Sequence, residues 1–392
     1  MAKGRVMNKR TKRYVVRPAG NSRASLPIET GTYSRTNPLG EMLTKKRERG
    51  SWGHTHGSDR RGCGMTAQSV RASGPRDLLG RLLGRAWSSS RPLAFVGATM
   101  LLVLAVSLAG LLLDPRVITG APAWLKPMKF AISITIYCFT LLWMLTFVRG
   151  RPRLVGLISW VTAVAFLVEM VLIAGAAAFG TTSHYNVSTP LHNAVWYTMA
   201  IAIMLVWTMN LLAAVLLLIQ RMPDPSFAWA LRLGLVVSLV GMGVGFLMVS
   251  ETPAQERAAD KAGIEAPIQG AHAVGVEDGG PGLPVTGWST TGGDQRVAHF
   301  VGLHGLQTLP LFGYLLALFA PAWLRTSYRV ALVWTAGLSY LCLIGLLTWQ
   351  ALGGQPVISP DARMLVALVA LVLTAGTAAS AVVLGAWRGR QV

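Results

Sequence analysis

The chain has 392 residues, 52% of them hydrophobic and only 13% charged, with a mean hydropathy of +0.48, a balance that excludes an ordinary soluble protein of two or three domains. The net charge of +20 would suit a nucleic-acid binder, but residues 1–92 hold 20 Lys and Arg against 5 acids, and the remainder holds 16 against 11. The basicity therefore belongs to a tail whose expected partner is the anionic headgroup layer of a bilayer, and no nucleic-acid partner is expected.

Residues 1–92 read as a basic, largely disordered cytoplasmic tail. No apolar run follows its first positive charges, so it is not a signal peptide. His54 and His56 lie in Gly-rich sequence as solvated residues, and the change of composition at Met65-Thr66-Ala67 marks a candidate biological start. Residues 77–87 read as an amphipathic helix at headgroup level: Asp77 caps it, Leu78, Leu79, Leu82, Leu83 and Trp87 keep helical spacing, and Arg81 and Arg85 lie between. A plain extension of the first span is the alternative. Cys63, Cys138 and Cys342 are too scattered for a disulfide framework or a zinc site.

Residues 93–392 read as an all-α polytopic bundle of about eight transmembrane helices, because stretches of about 20 apolar residues are what a bilayer core requires. The candidate spans are 93–113, 129–148, 154–179, 195–219, 228–250, 297–320, 328–350 and 363–386. Arg149, Arg151, Arg153, Arg221, Arg232, Arg325, Arg329, Arg388 and Arg390 fall at one set of span ends, with Asp224 the one acid there. The positive-inside rule then places both termini in the cytoplasm of a cell membrane, inner or plasma. Trp124, Trp196, Trp288 and Trp349 fit an aromatic belt at the outer interface. Lys126 and Lys129 read as snorkelling anchors or as ligands for an anionic headgroup. The long external connection, 251–296, is acidic at first, then rich in Gly and Pro, and ends in an aromatic and polar stretch.

Ionisable residues inside a span are costly and mark sites or pathways. Glu169 lies in the third span, and His304 and Gln307 share a face of the sixth. Asn210 is deeper in the fourth span, and Gly241-Met242-Gly243-Val244-Gly245 is a candidate helix break in the fifth. All five histidines after the tail, His184, His192, His272, His299 and His304, fall on the external side. Glu169, His184, His192, Asn193, His299, His304 and Gln307 are the candidate pocket. Imidazole with carboxylate suits a transition metal, with His304, Glu169 and His192 as the set, and a His pair suits haem. A hydrogen-bonded network, Glu169 to Gln307 or His304, accounts for the same residues without a cofactor. Asn186-Val187-Ser188 matches a glycosylation acceptor.

Three stretches, Trp124 to Ala131, Gly180 to Asn186 and His299 to Gln307, resemble those of a widespread group of uncharacterised bacterial multi-pass inner-membrane proteins with no assigned activity. The resemblance covers roughly 93–320. It implies a bacterial inner-membrane protein and is silent on chemistry. The expectation is a membrane protein with an external His/Glu pocket, serving a metal- or haem-dependent enzyme or redox protein. The alternatives are a small-solute or proton-coupled transporter, and a structural or receptor-type protein using the 251–296 loop.

Overall fold

Eight helices long and apolar enough to cross a membrane occur among the described residues, 84–263 and 266–390 of a computed structural model. They are α1 (Arg91–Leu113), α2 (Leu125–Leu145), α3 (Pro152–Phe179), α4 (Pro190–Ile219), α5 (Pro225–Val244), α7 (Gln295–Phe319), α8 (Thr326–Leu352) and α9 (Ala362–Arg388), with a short α6 (Pro253–Ala262) between α5 and α7. The chain is a multi-pass membrane protein. The start at Met65, the residues His54, His56 and Cys63, and positions 77–83 of the expected interfacial helix lie outside the described residues, while 84–89 are helical.

The helices start where the chain supplies caps. Thr189, Asp224, Asp294 and Asp361 each accept a backbone N–H of their helix's first turn, and Pro152, Pro190 and Pro225 stand where a helix needs no N–H. Those caps matter in lipid, where water cannot satisfy an open helix end. The same rule governs hydroxyls on exposed faces. Thr99, Thr208 and Thr308 each donate to the carbonyl four residues back. Two starts differ from expectation: α2 begins at Leu125, so Lys126 joins Lys129 within it, and α4 begins at Pro190, which puts His192 and Asn193 in its first turn. In both cases a protein partner replaces the water that a polar residue at a helix start would otherwise need.

Connections 114–124, 180–189, 245–294 and 353–361 gather at one end of the bundle, the loop face, where Arg116 Nη1 donates to Ala178 O and Val187 N to Pro267 O. At the opposite, terminal face Arg149 N donates to Gln220 Oε1 and Arg232 to Leu217 O and Gln220 O. Helices α1 to α4 pack as one group and α5, α7, α8 and α9 as another, joined through α4 and α5. The second group is built on an antiparallel seam of small residues. A Cβ on Gly241 would stand 2.4 Å from Gly302 C, one on Gly305 2.2 Å from Val237, and one on Gly313 2.3 Å from Ala230. Backbones can approach this closely only without side chains, and close packing replaces the hydrophobic effect between helices in lipid. The Gly241 run is therefore a crossing point, and the helix ends at Val244 in a short 3-10 turn, Gly245–Met248, rather than breaking mid-span.

The loop face carries a folded cap. Strands β1 (Val117–Ile118) and β2 (Ala121–Pro122) form a hairpin turning at Thr119 and Gly120, whose φ values of 47° and 70° match a two-residue turn of that hand. Gly120 lies against Gly279 O of the long connection. Strands β3 (Ala273–Val274) and β4 (Gly293–Asp294) pair just ahead of α7. Thr252 and Gln255 form a capping box on α6, and Gln255 also grips Gly270 through both its N–H and its carbonyl.

Candidate functional site

Gly180, at φ 73°, ends α3 and turns the chain into Ser183-His184-Tyr185. Tyr185 is held at φ 64°, a conformation that costs a residue with a Cβ roughly 1–2 kcal/mol. The surroundings enforce it: Tyr185 O accepts from Gln269 N at 2.8 Å, and Gly270 leaves no side chain to strike its ring. Its ring meets Trp196 at 5.1 Å and His272 at 5.0 Å. Beside it, His184 Nδ1 lies 3.1 Å from Lys126 Nζ and 3.0 Å from Ser183 Oγ. An ammonium only donates, so Nδ1 accepts and the ring hydrogen belongs on Nε2. Burial, then the Lys126 charge, then His272 hold His184 well below the usual imidazole range, which keeps it neutral.

His272 Nδ1 lies 2.6 Å from Asp278 Oδ2, and the backbone N–H groups of His272 and Ala273 donate to the same carboxylate. Burial alone would raise the Asp278 pKa, but these hydrogen bonds and the imidazole bring it well below the usual carboxylate range. Burial pushes His272 down against the pull of Asp278. Asp294, 2% exposed, accepts from Arg296 Nε and Nη2 and from Ser289 N, while Arg296 Nη2 also donates to Gly287 O. Lys129 Nζ donates to Thr286 O at 2.9 Å. The 281–289 turn is thereby pinned across the starts of α2 and α7, with Trp288 against Phe300.

Below this cap lies Glu169. Helix α3 faces α2 through Phe166 and Tyr137, edge to face at 5.1 Å, and Glu169 stands one turn nearer the loop face. It is 1% exposed, and neither carboxylate oxygen has a hydrogen-bond partner among the described residues. A buried polar group left unpaired costs about 1–3 kcal/mol, and more when charged. Lys126 and Glu169 lie within each other's electrostatic reach, yet no ion pair joins them.

The expected network is not formed at Glu169. His304 Nδ1 pairs with Gln307 Oε1 at 3.2 Å, and Gln307 Nε2 donates across to Thr140 Oγ1 on α2. His304 and Gln307 do share a face, with the His304 ring edge to face against Phe300 at 4.3 Å, but their partner is a threonine. His299 Nδ1 donates to Gly241 O at 2.8 Å inside the glycine seam. His192 is taken up by Ser188, Thr189 and Thr181 around the start of α4, and Asn193 Oδ1 is buried there without a partner among the described residues. His304, Glu169 and His192 are thus kept apart. Among the described residues no group of three His, Cys, Asp or Glu side chains is placed to hold a metal. Of the imidazoles a haem pair would draw on, His192 bonds at the start of α4, His299 in the glycine seam and His304 to Gln307.

No protein-family model, curated protein or solved structure matches the chain. The geometry has to speak alone.

It gathers Lys126, His184, Tyr185, His272, Asp278 and Arg296 above Glu169. The sequence alone points to His184 and Glu169, and reads Lys126 as a snorkelling anchor or a ligand for an anionic headgroup; it does not single out Tyr185 or Asp278. The signal that could have found Asp278 is the close run from His272 to Asp278 in a Gly-rich loop, where a carboxylate can fold back on an imidazole. Trp124, Trp196 and Trp288 pack into this cap, Trp124 donating to Asp114 Oδ2, and Trp349 stays exposed. Asn186 is 8% exposed and bonded to Ser188 and Thr181, which leaves its amide closed to a modifying enzyme. The terminal half is not purely apolar inside. Tyr137 donates to Asn210 Oδ1 at 3.3 Å, and the hydroxyls of Ser159 and Thr162 are buried without partners among the described residues.

Proposed function

We propose that this protein is a small-solute carrier of a bacterial inner membrane, with both termini in the cytoplasm, that exchanges its ligand against a proton held on Glu169. The observation that carries the reading is the Glu169 carboxylate, 1% exposed and unpartnered among the described residues. An unpaired carboxyl in an apolar interior is stabilised by a proton or by a cationic partner, and alternation between the two is exchange. Access from one side would open through the loop-face cap, and Tyr137, Asn210, Thr162 and Ser159 supply polar groups toward the other face. The orientation rests on the arginines at the terminal-face ends of the spans, and the bacterial setting on the resemblance of the three stretches.

The test is proton flux in proteoliposomes carrying an interior pH dye, with mixed small amines, amino acids and organic acids added outside. Wild type should move protons in response and Glu169→Gln should not; equal fluxes from both proteins would refute the carrier. The His272–Asp278 pair favours a second reading, chemistry within the loop-face cap. Asp278 fixes hydrogen on His272 Nδ1 and so leaves Nε2 as a base. Chemical turnover of an added solute that His272→Gln abolishes, with proton flux intact, would select it.

A further inference from the structure

The charges of the cap are not equally committed. Arg296 is spent on Asp294 and Gly287 O, Lys129 on Thr286 O, and Asp278 on His272 and two backbone N–H groups. Two groups keep bonding capacity. Lys126 donates to His184 Nδ1, which leaves two of its three N–H donors without an acceptor among the described residues. Glu169 keeps both oxygens. Set side by side, they are one cation and one carboxylate.

Their spacing follows from the contact between α2 and α3. Tyr137 and Phe166 meet at 5.1 Å. Lys126 lies eleven residues above Tyr137, and Glu169 three above Phe166. At about 1.5 Å per residue the two backbones are offset by roughly 12 Å along the bundle. Phe130 lies between, and its ring packs on His184 at 6.0 Å. The two charges lie within each other's electrostatic reach, with no ion pair between them.

We infer that the ligand is a small zwitterion, its primary ammonium on the Glu169 carboxylate and its carboxylate or phosphate on the Lys126 ammonium. The inference rests on Glu169 being the exchange site and names what is exchanged there. A lone anion would meet Glu169, and a lone cation would meet Lys126, so each is disfavoured by the group it leaves unpaired. A molecule carrying both charges satisfies both, and the ammonium supplies the N–H donors that Glu169 lacks. As it arrives, the carboxyl proton leaves for the loop-face water. The same chemistry occurs in a free amino acid and in the headgroup of phosphatidylethanolamine.

The experiment is binding to the purified full chain in nanodiscs, with glycine, β-alanine, 4-aminobutyrate and phosphoethanolamine as probes. Butylamine, butyrate and the quaternary glycine betaine serve as controls. At least one zwitterion should bind at least tenfold tighter than either monofunctional control or the betaine. Glu169→Gln should remove that advantage without lowering the unfolding temperature. Lys126→Gln should remove it while retaining butylamine, and if that variant fails to fold, Glu169→Gln alone decides. Zwitterions no better than their halves, or an advantage that survives Glu169→Gln, overturn the inference. Proton flux driven by some other solute in the same protein would then leave the carrier standing. Zwitterion binding with no proton flux would support the inference and sink the carrier. Loss of phosphoethanolamine binding in phosphatidylethanolamine discs, but not in phosphatidylglycerol discs, assigns the ligand to the headgroup, and equal binding in both assigns it to a free solute.

Discussion

The α5–α7 seam and the α2–α3 seam both bury polar residues between antiparallel helices, and they treat them in opposite ways. In α5–α7 the glycines bring the backbones together, and the imidazole in the seam, His299, is consumed by Gly241 O. In α2–α3 bulky side chains keep the helices apart, and the polar residue in the seam, Glu169, bonds to nothing among the described residues. The first arrangement is complete within the protein, while the second requires something from outside it. A buried ionisable residue is therefore informative only after its partners are known. His299 and Glu169 carry equal weight as sequence and very different weight as structure.

The sharpest way to break the contrast is to damage the cap that closes the second seam. Asp294→Ala removes a buried carboxylate that accepts from the partly exposed Arg296 and from Ser289 N, and losing such charged hydrogen bonds costs about 1.5–3 kcal/mol. Thermal unfolding should show that loss, with faster proteolysis at 281–289. Next is the glycine seam itself. A Cβ at Gly302 would stand 2.3 Å from Gly241 Cα, and backbone cannot rotate aside, so Gly302→Ala should cost about 1–3 kcal/mol of stability in detergent. His299→Ala removes one hydrogen bond and should cost about 0.5–1.5 kcal/mol by the same assay.

A smaller effect comes with pH. His184 and His272 titrate below the ordinary imidazole value of about 6.5 in the folded protein, so the unfolded chain takes up more protons as pH falls through that value. Stability should decline from about pH 6.5 downward, and His184→Gln should flatten the decline. Asp278 acts in a separate, more acid window: its contribution is present above the ordinary carboxylate range and is lost as pH falls through it. The smallest expected effect is the most telling. Glu169→Gln breaks no bond, so its unfolding temperature should match wild type within error while proton flux disappears; a loss comparable to that of His299→Ala would show that Glu169 is structural.

Much of the architecture was legible in the residues. Eight apolar runs gave eight helices because a membrane demands length and hydrophobicity from each span alone, and caps such as Asp224 and Asp361 act within a few residues of themselves. The pairing of His304 with Gln307 was readable for the same reason, since helix geometry places residues three apart on one face. The candidate site was legible only in part. Glu169 stood out as an ionisable residue inside a span, and His184 as one of five histidines gathered on the external side. That Lys126 turns inward to His184, that Asp278 folds back on His272, and that Glu169 stands unpaired while His192, His299 and His304 are spent elsewhere was decided by tertiary structure. A hydrogen bond depends on where two helices and a loop bring their atoms, and spacing along the chain does not record that.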